Sequence, residues 1–186
     1  MSATALEVFF RCPFQFYSSK VLRLEDPKEP SEDGEISGLV KGQIYHRILQ
    51  NFYQSLNANK DYPKNGTYPE SILLEAQQKV FDEYTWQGLG IYPLLWEITR
   101  EGIVDTVAVF LKWDFEELML KGLRPQFLEK SIIAHLGIPV PPQLEGMPWK
   151  GRMDRIDIGE KFYRIVDYKT RLPSGKMEPR VLKGEA

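Results

Sequence analysis

Near the C-terminus two short runs, Gly151-Arg152-Met153-Asp154-Arg155-Ile156-Asp157 and Ile165-Val166-Asp167-Tyr168-Lys169-Thr170, interleave apolar and charged residues on either side of Gly159-Glu160. Successive side chains on a strand point to opposite faces, so runs of this kind pair as a β-hairpin. The pattern predicts strands over 149–158 and 161–170 around a turn at Gly159-Glu160. A two-residue turn would pair Ile158 with Lys161, Asp154 with Ile165 and Arg152 with Asp167. Opposed residues share a face, so Asp154, Ile165, Asp167 and Lys169 would project to one side, with Asp154 and Asp167 diagonal neighbours roughly 7–8 Å apart. A four-residue turn preserves that facing, whereas a three-residue turn separates the carboxylates. Asp157 falls on the other face, where it and Arg155 read as a salt-bridged outer surface.

Two carboxylates converging from one face can share a hard cation. Mg²⁺ prefers carboxylate oxygens, keeps several waters and accepts phosphate oxygens at its open positions. Such an ion polarises a scissile phosphate and lowers the pKa of bound water. Lys169 beside it could help deprotonate that water or stabilise charge developing on the phosphate, and the backbone carbonyl of Tyr168 could add an oxygen ligand. The competing reading is plain: Asp and Lys two residues apart on a strand also form solvated ion pairs. Against it, Ile165 and Val166 precede Asp167, and Ile156 and Ile158 follow Asp154, and carboxylates set among apolar residues are costly unless compensated.

Upstream the texture is helical. Residues 2–11 predict a short helix, capped by Ser2 or Thr4, with Leu6, Phe9 and Phe10 on its apolar side and Pro13 ending it. Phe14, Phe16 and Tyr17 follow as a compact aromatic anchor. Residues 26–38 are acidic and turn-rich, an exposed loop. Val40, Ile44, Ile48 and Phe52 recur every four residues and, with Leu49 and Leu56, predict a helix over 39–56. A loop over 57–69 carries Asn65-Gly66 as its turn, and a helix is expected over 69–84. Pro93 opens a long helix to Lys121, with Ile103, Val107, Phe110 and Leu111 inward and Gly122 as its C-cap. Residues 126–134 are β-like, and 137–148 form a loop holding four prolines. The expected class is therefore α/β in an α+β arrangement: N-terminal helices, then a mostly antiparallel three-stranded sheet.

A chain of 186 residues with 42% hydrophobic residues fits one globular domain. No apolar run approaches the eighteen or so residues of a membrane span, and no secretory signal pattern opens the chain, so cytoplasmic residence is expected. Cys12 is the single cysteine, which excludes an internal disulfide. The net charge is −2, yet residues 147–186 hold ten Lys or Arg against six Asp or Glu, leaving −6 for the remainder. A basic C-terminal third with a few ordered acids suits a phosphate-handling site, and a solvated hairpin would look similar.

With these residues in view, the pair GRMDRID and IVDYKT resembles the catalytic core of the PD-(D/E)xK nuclease superfamily, in its RecB-like branch, and most of all the nuclease domains of AddB-type ATP-dependent nucleases. Arg11-Cys12-Pro13-Phe14-Gln15-Phe16-Tyr17 is similar to the start of that domain. Gly42-Gln43-Ile44-Tyr45-His46 is similar to its G-x-x-x-H helix, and Phe127-Leu128-Glu129 to its acidic strand position. The resemblance covers nearly the whole chain and implies a restriction-endonuclease-like core. It implies Asp154 and Asp167 as metal ligands, Lys169 as the catalytic lysine, and His46 as a further ligand or phosphate-side contact. Glu129 becomes an outer ligand, or else the solvated end of a strand. Arg152 and Arg171 are candidate DNA or phosphate contacts. From helix periodicity alone His46 would be a polar-face histidine, although Gly42 one turn earlier leaves room beside its imidazole. His135 lies outside every motif and reads as structural or exposed.

The sequence also departs from the family. The branch places a Q-x-x-x-Y helix and a further strand after the lysine strand, and this chain ends before them. Relatives with an iron–sulfur cluster use four cysteines, of which only Cys12 has a counterpart, so the cluster is not expected here. The expectation is a single domain over 1–186, C-terminally incomplete, with an exposed apolar surface open to self-association. The implied function is a Mg²⁺- or Mn²⁺-dependent deoxyribonuclease core of the exonuclease type. Its setting would be a DNA repair or recombination machine, beside a helicase subunit or domain. The alternative is a catalytically incomplete module that binds DNA or assembles a complex; an RNA-directed nuclease of the same fold is a third.

Overall fold

The computed structural model describes residues 2–24, 36–59, 66–134 and 148–169. Residues 26–35 of the expected acidic loop, 60–65 of the expected loop with its Asn65, 137–147 of the proline loop, His135 and Arg171 therefore lie outside the described residues. The chain forms two compact units, one of Met1–Glu29 with Glu129–Met153, the other of Pro30–Leu128 with Asp154–Ala186.

In the first unit, Ser2 caps α1 (Ala3–Arg11), its hydroxyl accepting from the Ala5 N–H at 3.2 Å. The helix stops at Cys12, which is extended, as Pro13 requires of the residue before it. Pro13 then starts a short helix, α2 (Pro13–Phe16), which continues into a π-helical turn over Tyr17–Val21. The expected aromatic anchor is only half made. Phe9 packs edge-on to Phe16 at 5.4 Å, while Phe10, Phe14 and Tyr17 are exposed.

The second unit holds the core. Ser37 caps α3 (Gly38–Ala58) through the Val40 N–H. Of the four-residue recurrence Ile44, Ile48 and Phe52 are fully buried, as is Leu56, while Val40 is half-buried. They meet Leu73, Ala76 and Val80 of α4 (Glu70–Phe81), and Ile103, Val107, Leu111, Phe115 and Leu118 of α6 (Pro93–Lys121). Each such aliphatic or aromatic side chain contributes about 1.5–3 kcal/mol by leaving water. A one-turn helix that the sequence pattern does not announce, α5 (Trp86–Leu89), is capped by Thr85 and closed by Gly90 in the left-handed region. Gly122, also left-handed at φ 61°, ends α6, and the Leu123 N–H returns to the Leu118 carbonyl at 2.9 Å. Among the described residues no helix is long and apolar enough to cross a membrane.

Three strands follow, β1 (Arg124–Ala134), β2 (Trp149–Ile158) and β3 (Tyr163–Val166), in the sheet order β1-β2-β3. This is the expected α+β order of helices followed by a three-stranded sheet. The hairpin differs from expectation in two ways. Its turn has four residues, Gly159 to Phe162, closed by a 2.9 Å bond from the Gly159 N–H to the Phe162 carbonyl. The antiparallel register is consequently Ile158↔Tyr163, Asp157↔Arg164, Ile156↔Ile165 and Arg155↔Val166. The ladder also stops at Val166, so the strand expected to reach Thr170 is much shorter and the diagonal Asp154–Asp167 pairing is not made on it. Gly159 is required for a packing reason: a Cβ there would lie 2.8 Å from the carbonyl oxygen of Gly122.

Candidate metal centre

His46 sits near the middle of α3, at the edge of its buried stripe, two residues after Ile44 and two before Ile48. Its Nε2 lies 3.0 Å from the Tyr168 carbonyl oxygen, and its Nδ1 lies 3.6 Å from Asp154 Oδ2. A carbonyl can only accept, so Nε2 carries the proton of that bond. Nδ1 then turns toward the carboxylate, either as the second N–H of an imidazolium or as a lone pair. Two Lewis-basic atoms facing one another at this spacing fit a shared cation, as they fit a shared proton.

Asp154 is fixed from a second direction. Its Oδ2 accepts the Tyr168 backbone N–H at 2.7 Å, and its side chain is 11% exposed. The Tyr168 backbone thus donates to Asp154 through its N–H and accepts from His46 through its carbonyl, one group from each of the two peptides that flank its Cα. Its carbonyl keeps a second lone pair that suits a hard cation. Imidazole, carboxylate and carbonyl together form a donor set that suits a divalent cation.

Asp167 and Lys169 flank Tyr168. Lys169 Nζ lies 2.8 Å from Asp167 Oδ2, and the two side chains are 65% and 60% exposed respectively. The solvated ion pair weighed from sequence is therefore present, immediately beside the His46–Asp154 contact. Glu129 belongs to the first unit, on β1. It stands at φ 50°, in the left-handed region that non-glycine residues rarely adopt, and its carboxylate takes the Nε of Arg152. Strain of this kind costs about 1–3 kcal/mol and clusters at functional positions. Cys12 is half-buried at the N-terminus of α2.

The other face of the hairpin corrects the expectation from sequence. Arg155 and Asp157 do pair on the face away from Asp154, but that face is no outer surface: both side chains are completely buried. Arg155 Nη2 donates to Asp114 Oδ1 at 2.8 Å and to Asp157 Oδ2 at 3.1 Å. Its Nε lies 2.8 Å from Asp157 Oδ1 off the line of the N–H, an ionic contact without a hydrogen bond. Arg164 reaches Asp157 Oδ2 and Asp114 Oδ1, each at 2.7 Å, and the Tyr53 hydroxyl donates to Asp114 Oδ2 at 2.5 Å. Two arginines and two aspartates balance in charge, which lets Arg155, Asp114 and Asp157 be fully buried with Arg164 partly exposed beside them.

Burial alone would raise the Asp114 carboxyl, but the charge of Arg155, its hydrogen bond and the charge of Arg164 outweigh it and hold the pKa below the usual value of 3.8. Burial also pushes the Tyr53 and Tyr168 phenols up from 10.0. Sequence reasoning missed Asp114 and Tyr53. Asp114 had a signal, because it falls between Leu111 and Leu118 on the inward stripe of α6.

A family model, the PD-(D/E)XK nuclease superfamily, matches residues 1–184. The chain belongs to this superfamily. Among curated proteins it is similar to the B-type component of an ATP-dependent helicase/deoxyribonuclease from Listeria welshimeri, 26% identical over 196 residues. Proteins of the same name from Listeria monocytogenes and Alkaliphilus oremlandii are 27% and 28% identical. Each match covers 91% of this chain and 15% of the relative, so the chain spans a small part of their length. The superfamily and the helix-then-sheet architecture expected from the motifs both hold.

Proposed function

We propose that this chain is a divalent-metal-dependent nuclease module that hydrolyses phosphodiester bonds in DNA. The observation that carries the reading is the meeting of His46, Asp154 and the backbone N–H and C=O of Tyr168 within one set of polar contacts, beside Asp167 and Lys169. His46, Asp154 and the Tyr168 carbonyl hold Mg²⁺ or Mn²⁺ in this reading, with Asp167 as a further ligand. The cation supplies Lewis acidity that polarises a phosphoryl oxygen and makes water a competent nucleophile near neutral pH.

The residues around it have separate tasks. Lys169 is exposed, so its ammonium can leave Asp167 for an incoming phosphate and offset the charge that develops there. The same ammonium can hold the attacking water in line. His46 keeps its Nε2 proton on the Tyr168 carbonyl, which directs Nδ1 toward the cation site. Arg152 and Arg171 are proposed to steady the DNA backbone. The names of the relatives combine helicase and deoxyribonuclease, which supports a setting beside a helicase in DNA repair or recombination.

Mn²⁺ titration followed by EPR, together with cleavage of end-labelled single-stranded DNA, tests the reading. Wild type should bind one or more ions and cut, and Asp154→Ala should lose both. Equal and negligible binding by the two proteins would remove the metal claim. Metal binding and DNA affinity without cleavage would instead favour a non-catalytic DNA-binding module, and preferential cleavage of RNA would reassign the substrate.

A further inference from the structure

Tyr168 lies beyond the end of β3, so no ladder bond fixes its peptide. Its N–H nonetheless reaches Asp154 at 2.7 Å and its carbonyl meets His46 at 3.0 Å. Beside these two contacts, the side chain supplies a second set of anchors. Arg155 Nη1 donates to the Tyr168 hydroxyl at 3.1 Å. The ring stands edge-on to Phe110 at 5.6 Å and to His46 at 5.4 Å. Arg155 is itself immobilised by Asp114, by Asp157 and by the Tyr53 ring, 4.3 Å beneath its guanidinium.

The geometry points to Arg155 as a positioning residue for the metal centre, acting through the Tyr168 hydroxyl on the backbone N–H and C=O of Tyr168. The inference rests on the reading of His46, Asp154 and the Tyr168 carbonyl as that centre. Stability alone accounts poorly for the arrangement, because a buried ion pair is often no more stabilising than well-packed apolar residues of equal volume. A planar guanidinium does something apolar packing cannot: it fixes directions, holding two carboxylates and a phenol at set angles in one plane. The direction of the phenol then restrains the Tyr168 backbone, and with it the two peptide planes that lead to Asp167 and Lys169.

Two conservative variants of the whole chain test this, Tyr168→Phe and Arg155→Lys. Arg155→Lys is read by Mn²⁺ affinity and by the Tyr168 amide proton in ¹⁵N-tyrosine spectra, and Tyr168→Phe by affinity and by the same amide under ¹⁵N-phenylalanine labelling. Tyr168→Phe removes one hydroxyl and leaves the ring; Arg155→Lys keeps the charge and loses the fork. Both should weaken Mn²⁺ binding about tenfold, as loss of a partner behind a metal ligand typically does. Both should also move the residue-168 amide signal upfield and speed its exchange with solvent. The double variant should be no worse than the more affected single one, since both act through one contact. Wild-type affinity and an unmoved amide in folded Tyr168→Phe would overturn the inference, even if Arg155→Lys fails to fold. Absence of Mn²⁺ binding by wild type would defeat the metal reading instead, and the amide signal would still decide whether Arg155 orients the peptide.

Discussion

Arg155 and Asp157 stand two residues apart on β2, as Asp167 and Lys169 do just past β3, yet the first pair is sealed from solvent while the second is 60% and 65% exposed. Spacing and charge are the same; the surroundings differ. Asp114 of α6, Tyr53 of α3 and Arg164 of β3 all face the Arg155–Asp157 pair, so its charges are compensated and its geometry is held. Asp167 and Lys169 hold each other. A pair of that kind contributes only about 0.2–1 kcal/mol and is screened by salt, so either member can change partner at little cost. The sealed pair does structural work because it cannot rearrange. The open pair can meet a phosphate because it can.

The largest effect that would sharpen this contrast is on stability. Arg155→Met should lower the unfolding free energy by about 3–5 kcal/mol, because it strands Asp114 and Asp157 as buried charges. Urea denaturation followed by tryptophan fluorescence measures it. A loss below about 1 kcal/mol would mean that the buried cluster relaxes by admitting water, and the comparison would fail.

Lys169→Ala should do the reverse. DNA cleavage is expected to fall about 10²–10³-fold, the size seen when one preorganised charge or donor leaves a transition state. The unfolding midpoint should hardly move, because the lost pair is exposed. A variant that cleaves at the wild-type rate would reduce Lys169 to the surface lysine it resembles in the sequence.

These two expectations also mark what could be read from the chain. The helices were legible because their apolar recurrence and their stops agree: Ile44 to Leu56 forms one stripe, and Pro93 and Gly122 bound α6 as written. The sheet faces were not. Pattern reading assumes that isoleucines turn inward and charges outward, and the hairpin inverts this: Ile158 and Ile165 are substantially exposed while Arg155 and Asp157 are buried. A pairwise alternation says which residues share a face but not which face the helices cover. Only a count that joined Asp114, on the inward stripe of α6, to the charges of β2 would have found it. The candidate ligands themselves came from motif order, and His46 and Asp154 do meet. Asp167 was expected beside Asp154 through a longer ladder; the early end of β3 gives it Lys169 as a partner instead.

An intermediate effect is expected at the turn joining the two strands. Gly159→Ala places a methyl group 2.8 Å from the Gly122 carbonyl, where backbone atoms on both sides must move. Overpacking of this sort costs about 1–3 kcal/mol. The shift should displace Tyr163 and Arg164 together with the turn, so Mn²⁺ affinity should fall with stability in this variant. Lost stability with unchanged affinity would show that the metal centre is insulated from the hairpin turn.

The smallest expected effect is on pH dependence, and its sign separates the two pairs. The Asp114 carboxyl is held below its unfolded value of 3.8, chiefly because Arg155 and Arg164 outweigh the cost of burial. A depressed acid stabilises the folded state fully above the unfolded pKa, and that contribution drains away as pH falls through the folded value. Stability should therefore hold to about pH 4 and decline below it, with Asp114→Asn flattening the decline. At the other end, Tyr53 and Tyr168 are buried as neutral phenols with pKa values raised above 10.0, so their contribution is complete below pH 10 and is lost as pH climbs further. Tyr168→Phe should soften that alkaline loss. Lys169→Ala, which touches only the open pair, should leave the acid limb as it is. If Lys169→Ala flattened it as Asp114→Asn does, the open pair would be part of the acid response and the division between a sealed and an open pair would not stand.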